Sequence, residues 1–281
     1  MKFYKTLFVS VVALVFFSCK ENPKKPEETT KSHTSETAVN VIKTEEVVYA
    51  ADGKSYKSFI AYKGDSTEIK PVVFVIPEWW GLNNYAKNRA KQLAELGYFA
   101  MAVDFYGNGK VVDHPKDANQ LASQFYGGNP ALAKSVFDAA KSKALTFKNA
   151  DKNKMAVIGY CFGGAMALNM ARQETDLKGA VSFHGNLMTG VKPTHSQSKI
   201  LVLNGEADSF IPQKEIDAFK KEMDSAKIQY KFINYPNAIH AFTNPEATEI
   251  GKKFDLKIAY NKEADEKSWQ EMKSFLAEIF K

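Results

Sequence analysis

The sequence predicts an α/β domain in which a mainly parallel sheet is covered by helices on both faces. Short apolar runs rich in β-branched residues, at 72–76, 155–158 and 200–203, are typical of strands that are buried on both faces. Segments of helical composition separate these runs, and strands that alternate with helices usually pair in parallel. In such folds the functional groups lie at the carboxyl ends of the strands, so the loops after the strands are where we expect the site.

The first half of the domain contains a hairpin followed by strand–helix units. Asp52-Gly53 is a strong signal for a two-residue hairpin turn. The other elements of this half follow from apolar periodicity and from Gly and Pro breaks. The predicted elements are hairpin strands at 46–49 and 55–62, a strand at 72–76, a helix at 85–96, a strand at 99–104, and mostly helix over 116–150 with a break around 127–130.

The second half repeats the alternation of strands and helices. A short strand at 155–158 leads almost directly into a segment of Ala, Met and Leu that begins at Ala165, and these residues favour helix. A closing amphipathic helix is predicted at the end of the chain. The remaining predictions are strands at 179–183, 200–203 and 230–235, with the last helix at 265–280.

Length, charge and composition limit the classes of protein that the chain can belong to. Its 281 residues suffice for one large α/β domain or two small ones. The net charge of +6 is mild, spread over many lysines, and gives no indication of a nucleic-acid partner. Metal-ligand spacings and Gly-rich phosphate loops do not occur, so we predict no metal and no cofactor. We expect a monomer.

The first 19 residues have the pattern of a lipoprotein-type signal peptide. Lys2 and Lys5 precede an apolar run at 7–17, which has the length of a signal-peptide core and is short for a transmembrane helix. Ser18 precedes Cys19, and a small residue before a cysteine at this point resembles a bacterial lipoprotein signal. Cys19 would then carry the lipid and place the protein in the bacterial cell envelope, anchored to a membrane. The alternative is an ordinary secretory leader with an incidental cysteine.

Residues 20–40 separate this leader from the globular domain. They are rich in Lys, Glu, Pro, Thr and Ser and contain few apolar residues. Such a segment cannot bury enough apolar surface to offset its ordering entropy, so we predict a disordered tether. The globular domain is predicted to span 41–281.

Residues 159–163 have the pattern G-x-C-x-G between a predicted strand and a predicted helix. This is the nucleophile elbow G-x-S-x-G with a cysteine in place of the serine. A tight strand-to-helix turn crowds the positions two residues before and after the nucleophile, and Gly159 and Gly163 occupy them. Cys161 is therefore the candidate nucleophile. The alternative is a buried core cysteine beside a Gly-rich turn.

A nucleophilic cysteine needs a base, and the base needs an acid that orients it. Of the five histidines, His240 follows the last predicted strand, where such a base belongs, whereas His184 comes earlier and is expected to line the pocket or to pack. Glu206 and Asp208 both follow the strand at 200–203, and either fits by position. Asp208 is the better candidate, because an apolar residue and a Pro at a helix start follow it.

Four motifs resemble those of the dienelactone hydrolase family. The similarity extends from about residue 45 to the C-terminus, and the motifs occur in the family's order. The resemblance implies an α/β-hydrolase fold and a Cys-His-Asp triad that acts on esters or lactones. The motifs are PEWWGLN at 77–83, GYCFGG at 159–164, GEAD at 205–208 and AIHAF at 238–242.

The same resemblance assigns roles to residues around the triad. It implies that Glu78 holds the resting thiol, and that the backbone N–H groups of Trp79 and Phe162 form the oxyanion hole. Glu78 lies between an apolar strand and two tryptophans, where a carboxylate needs a purpose or a partner. Its alternative role is to accept backbone hydrogen bonds. Trp79 and Trp80 either line a pocket or pack inside the domain.

The chain departs from the family in its arginines. Members that hydrolyse carboxylated dienelactones use arginines to hold the substrate carboxylate, and this chain has only Arg89 and Arg172. Asn244 occupies the position of one such arginine. Lysines supply charge without the planar fork of a guanidinium, so we expect a substrate other than dienelactone itself.

Three functions compete at this point. The leading prediction is a hydrolase that cleaves a small ester or lactone through a thioester on Cys161. A non-catalytic binding lipoprotein with the hydrolase fold would not need Cys161, Asp208 and His240 together. A thiol redox protein would need a resolving cysteine, and Cys19, the one other cysteine, is predicted to be lipidated.

Overall fold

The computed structural model describes residues 41–65, 67–126, 130–174, 176–194 and 197–281. The predicted signal peptide at 1–19, the lipidated Cys19 and the tether at 20–40 lie outside these residues. Within the described segments, no helix combines the length and the apolar character that crossing a bilayer requires.

The predicted mainly parallel sheet is confirmed. In the described part of the chain it has eight strands in the order β1-β2-β4-β3-β5-β6-β7-β8. Strands β1 and β2 form an antiparallel hairpin, β2 pairs antiparallel with β4, and all pairs from β4 to β8 are parallel. The strands are β1 Ile42–Ala51, β2 Lys54–Lys63, β3 Lys70–Ile76, β4 Phe99–Ala102, β5 Ala150–Tyr160, β6 Leu177–Phe183, β7 Lys199–Gly205 and β8 Tyr230–Tyr235.

Helices cover both faces of the sheet, as predicted. Successive residues of β3 belong to different cores, since Val72 and Phe74 contribute to one apolar cluster and Val73 to the other. This alternation is the period of two expected for a strand buried on both faces. The helices are α1 Asn84–Glu95, α2 Pro115–Ala122, α3 Pro130–Ala144, α4 Phe162–Gln173, α5 Gln213–Ala226, α6 Ala247–Phe254 and α7 Lys262–Ile279, and a short 3-10 helix, Ser123–Phe125, follows α2.

Two segments differ from the sequence prediction. The helix predicted up to residue 150 ends at Ala144, because the chain beyond it joins the sheet: the Lys70 amide donates to the Asn149 carbonyl at 2.8 Å, and Ala150 pairs with Lys70. Helix α6 was not predicted. It has eight residues and ends at Asp255 in the left-handed conformation. So short a helix carries a weak periodic signal.

Candidate active site

Cys161 lies between β5 and α4 in a strained turn that only glycines can flank. Its backbone has φ 53° and ψ −117°, a conformation that non-glycine residues rarely adopt. A Cβ on Gly159 would lie 1.9 Å from the Gly163 carbonyl oxygen, and a Cβ on Gly163 would lie 2.1 Å from the Ile76 carbonyl oxygen. The close approach of the strands and the new helix therefore excludes any side chain at these two positions.

Three loops at the carboxyl ends of β5, β7 and β8 bring Cys161, Asp208 and His240 together. The Cys161 Sγ lies 3.0 Å from His240 Nε2, and His240 Nδ1 lies 2.8 Å from Asp208 Oδ2. The other carboxylate oxygen, Oδ1, accepts the Phe210 amide at 2.9 Å. Glu206, the other acid that the sequence left open, is exposed to solvent. The aspartate is thus the acid that contacts the histidine.

His240 is buried between two groups that can carry negative charge. Burial alone would lower the pKa of His240, but the Cys161 thiolate and the Asp208 carboxylate outweigh it and raise that pKa to about 10. An opposite charge at hydrogen-bond distance favours the protonated imidazole. The arrangement therefore favours a protonated His240 near neutral pH, and a cation at hydrogen-bond distance from the sulfur can stabilise a thiolate, which is the reactive form of a cysteine.

Glu78 lies directly after β3 and is 3% exposed. Its Oε2 accepts a hydrogen bond from Asn244 Nδ2 at 2.7 Å. Burial raises the pKa of Glu78 to about 7, although the Asn244 hydrogen bond and the positive charges of His240 and Arg89 oppose the rise. Glu78 thus titrates near neutral pH. The Cys161 sulfur is directed at His240, so this arrangement differs from the resting one that the family resemblance implies.

The two residues expected to form the oxyanion hole, Phe162 and Trp79, line the same cavity as Cys161. Phe162 is the first residue of α4, and its N–H belongs to the helix end that has no intrahelical acceptor. Trp79 follows Glu78 in a turn that the Gly81 amide closes on the Glu78 carbonyl at 3.1 Å. The Trp79 carbonyl accepts the Tyr106 hydroxyl at 2.9 Å. Neither the Phe162 nor the Trp79 N–H has an acceptor among the described residues.

His184 takes part in the site in a way that sequence reasoning missed. It follows β6, is fully buried, and its Nδ1 accepts the Cys161 amide at 3.1 Å. Because Nδ1 accepts, the ring proton is on Nε2, which lies 2.7 Å from Thr243 Oγ1. Burial and the positive charge of His240 hold the pKa of His184 well below its usual value. His184 is therefore neutral, and it supports the elbow by accepting a hydrogen bond from the Cys161 backbone N–H.

A cavity of about 270 Å³ opens beside Cys161. Trp79 and Trp80 both line it, so both contribute to the pocket. The wall is mostly aromatic and aliphatic, with two asparagines and few charged groups. The lining residues are Glu78, Trp79, Trp80, Asn119, Ala122, Tyr126, Cys161, Phe162, Asn186, Phe210, His240, Ala241, Leu256 and Ile258.

The two arginines of the chain are paired with other residues. Arg89 is 7% exposed, donates to the Thr243 carbonyl at 2.8 Å and pairs with Asp265. Arg172 is fully buried and pairs with Glu222 at 2.7 Å. Neither guanidinium belongs to the cavity wall. Among the described residues, no group of three or more His, Cys, Asp or Glu is arranged to hold a metal ion.

Comparisons with known proteins find one family. The model of the dienelactone hydrolase family matches residues 59–280. A relative in Saccharolobus solfataricus, named as a carboxymethylenebutenolidase, is 29% identical over 274 residues, which cover 84% of this chain and 99% of the relative. A relative of the same name in Yersinia pestis is 26% identical over 238 residues, covering 81% of this chain and 85% of the relative.

One solved structure is similar in both sequence and fold. It is a dienelactone hydrolase-like promiscuous phosphotriesterase from metagenomic libraries. It superposes with a TM-score of 0.79 at 30% sequence identity, and the match covers 85% of this chain and 99% of that one.

Proposed function

Because this chain belongs to the dienelactone hydrolase family and is therefore a hydrolase, we propose that it cleaves a small ester or lactone through Cys161, His240 and Asp208. One observation carries the proposal. The Cys161 sulfur lies 3.0 Å from His240 Nε2, and the opposite ring nitrogen lies 2.8 Å from Asp208, at the wall of the cavity. A nucleophile, a base and an orienting acid in this order form the constellation of nucleophilic acyl transfer.

In the first half-reaction, the Cys161 thiolate attacks the carbonyl carbon of the substrate. A C–S bond forms, and the carbonyl oxygen becomes an oxyanion that accepts hydrogen bonds from the Phe162 and Trp79 amides. The C–O bond to the leaving alcohol then breaks. The His240 imidazolium gives its proton to the departing alkoxide, and a thioester remains on Cys161.

In the second half-reaction, water hydrolyses the thioester. His240, now neutral, takes a proton from the water, and the hydroxide adds to the thioester carbonyl. Collapse of the tetrahedral intermediate releases the carboxylic acid and the thiolate. Asp208 holds Nδ1–H throughout, so that Nε2 faces the reacting atoms and the imidazolium is stabilised.

Glu78 controls the charge on the thiol in this proposal. Its buried carboxyl group lines the same cavity as Cys161, and its pKa of about 7 lets it gain or lose a proton near neutral pH. A charged Glu78 disfavours a thiolate nearby, whereas a protonated one does not. The alternative is that the Glu78 carboxyl group only accepts hydrogen bonds within its loop.

The test is hydrolysis of 4-nitrophenyl acetate by purified wild type, Cys161→Ala and Cys161→Ser. We expect turnover by wild type, loss in Cys161→Ala, and a large loss in Cys161→Ser, because a hydroxyl needs stronger activation than a thiol. Mass spectrometry after rapid acid quench should find the acetyl group on Cys161. Wild-type turnover by Cys161→Ala would exclude this nucleophile. A wild type without hydrolysis on any ester or lactone would favour the non-catalytic binding protein.

The location of the protein is a separate proposal. The pattern around Cys19 supports a lipid anchor, and the polar segment at 20–40 would hold the domain away from the membrane. The two or three acyl chains of a lipoprotein cysteine hold firmly, whereas a single chain binds weakly. Membrane fractionation of wild type and Cys19→Ala tests this. Equal recovery of both proteins in the membrane fraction would exclude lipidation of Cys19.

A further inference from the structure

We propose that the cavity selects esters and lactones that carry no negative charge near the scissile bond and that present an aromatic ring to its wall. The inference rests on the proposed function, since it concerns the substrate of the same site. Three features of the cavity carry it: the absence of an available cation, the acidic groups beside the nucleophile, and the aromatic mouth.

The first feature is the charge of the cavity wall. Its titratable side chains are those of Glu78, His240, Cys161 and Tyr126, and no lysine or arginine lines it among the described residues. Arg89 is held by the Thr243 carbonyl and Asp265, and Arg172 by Glu222. A substrate carboxylate in this cavity would therefore lack a guanidinium or ammonium partner, and burial of an unpaired charge is costly.

The second feature is the negative charge that already surrounds His240. Its two ring nitrogens face Cys161 Sγ at 3.0 Å and Asp208 Oδ2 at 2.8 Å, so both nitrogens of the imidazolium already have partners. Glu78 adds a third acidic group, and its Oε2 is held by an uncharged amide, Asn244, at 2.7 Å. When Glu78 is ionised, a carboxylate on the substrate would meet like charge in a poorly screened site.

The third feature is the aromatic mouth of the cavity. Phe210 is 47% exposed, although it is a large apolar residue, and its ring centroid lies 5.0 Å from that of His240. Trp79 and Tyr126 also line the cavity, with Asn119 and Asn186 as neutral polar groups. Aromatic rings in a cavity wall beside a nucleophile favour stacking with a flat apolar ligand, and neutral amides orient it without selecting charge.

A matched pair of substrates tests the inference on purified protein. 4-Acetoxybenzamide and 4-acetoxybenzoate have the same shape and differ in one negative charge, and each rate is divided by the rate of hydroxide hydrolysis. We expect wild type to prefer the benzamide by about tenfold or more in kcat/KM. Equal corrected values for the two substrates, or a preference for the benzoate, would overturn the inference.

Two lysine substitutions on α2 separate the cavity from the overall charge of the protein. Asn119 is exposed and lines the cavity, whereas its neighbour Gln120 is exposed and does not. Asn119→Lys should raise the relative rate on the benzoate by about fivefold, and Gln120→Lys should not change it, although both add one positive charge. Equal selectivity in the two variants would contradict the inference. Benzamide hydrolysis that survives in Cys161→Ala would instead refute the proposed function, and the inference with it.

Discussion

Two buried histidines contact Cys161, and their pKa values are shifted in opposite directions. His240 follows β8, His184 follows β6, and their ring centroids are 5.2 Å apart. The pKa of His240 is raised to about 10, whereas burial and the neighbouring charge of His240 hold the pKa of His184 well below its usual value. The two rings have nearly the same burial, at 7% and 0% exposed. Burial therefore does not decide their roles.

The partners of each ring explain the difference. His240 faces the Cys161 sulfur and the Asp208 carboxylate, and a negative charge on either group stabilises its cation. His184 faces a backbone N–H and the Thr243 hydroxyl, and neither offers a negative charge. Thr243 Oγ1 also lies 2.7 Å from the hydroxyl of Tyr85, a residue of α1, so hydrogen bonds connect His184 to α1 through Thr243. This difference fits the proposed roles, in which His240 moves a proton and His184 supports the strained elbow.

The largest expected effect is that of His240→Ala. It removes the base that contacts the Cys161 sulfur at 3.0 Å, so kcat/KM should fall by about 10³-fold or more. Kinetics on 4-nitrophenyl acetate measure the loss, and circular dichroism shows whether the fold is kept. A loss of less than tenfold in a folded variant would mean that another group deprotonates Cys161.

Asp208→Asn should have the next largest effect, about 10²-fold in kcat/KM. The amide keeps the shape but lacks the charge that stabilises the imidazolium, and it can present a donor to Nδ1. Glu206→Gln is the matched control, because this acid lies two residues away and is exposed. If Glu206→Gln loses activity while Asp208→Asn does not, the acid of the triad is Glu206.

His184→Ala should lower kcat by about tenfold and leave the pH profile of kcat/KM unchanged, since a neutral positioning residue does not titrate with the reaction. The Cys161 amide keeps the Phe183 carbonyl at 3.0 Å, so the elbow loses one of its two acceptors. The variant should also lose about 1–3 kcal/mol in unfolding free energy, because the Cys161 amide and the Thr243 hydroxyl each lose one of their buried hydrogen-bond partners.

His184→Asn sharpens this test. Its side-chain oxygen can occupy a position close to that of Nδ1, so it should recover part of the lost kcat. An alanine variant that shifts the pH profile would mean that His184 exchanges protons during the reaction, contrary to the comparison of the two histidines.

The sequence predicts the local features of the fold well. Asp52 and Gly53 both have positive φ, at 49° and 73°, as the hairpin signal requires, and the strand predicted at 230–235 is β8. Local pattern also explains why glycines flank Cys161. These features depend on backbone conformation and on apolar periodicity, which nearby residues determine.

Features that depend on distant contacts could not be predicted. His184 reaches the Cys161 amide because β5 and β6 pair in parallel with Tyr160 opposite Phe183. This strand register cannot be predicted from the local sequence. Local signals favour Asp208 over Glu206, but they do not show the contact between Asp208 and His240, which lie 32 residues apart in the sequence. The partners of Arg89 could not be predicted either, because Thr243 and Asp265 are distant from α1 in the sequence.

Glu78→Gln is expected to have the smallest effect on turnover, a loss of a fewfold. It extends the comparison of His240 and His184 to a third buried titratable group. The pKa of Glu78 is raised from 4.5 to about 7 in the folded state. As the pH rises between these values, the unfolded chain loses the proton while the folded protein keeps it, so stability falls. The contribution of Glu78 to the free energy of unfolding is thus fully present below pH 4.5 and is lost as the pH passes 7. The free energy of unfolding changes by about 3 kcal/mol over this range.

Glutamine removes this dependence, because it does not titrate. The gain in melting temperature of Glu78→Gln over wild type should therefore be larger at pH 8 than at pH 5, by roughly 5–10 °C. Glu206→Gln, which removes an exposed carboxylate, should show no such difference. The rate of Cys161 alkylation by iodoacetamide should also change its pH profile in Glu78→Gln. An unchanged profile together with a pH-independent melting difference would mean that the Glu78 carboxyl group neither titrates near neutral pH nor controls the thiol.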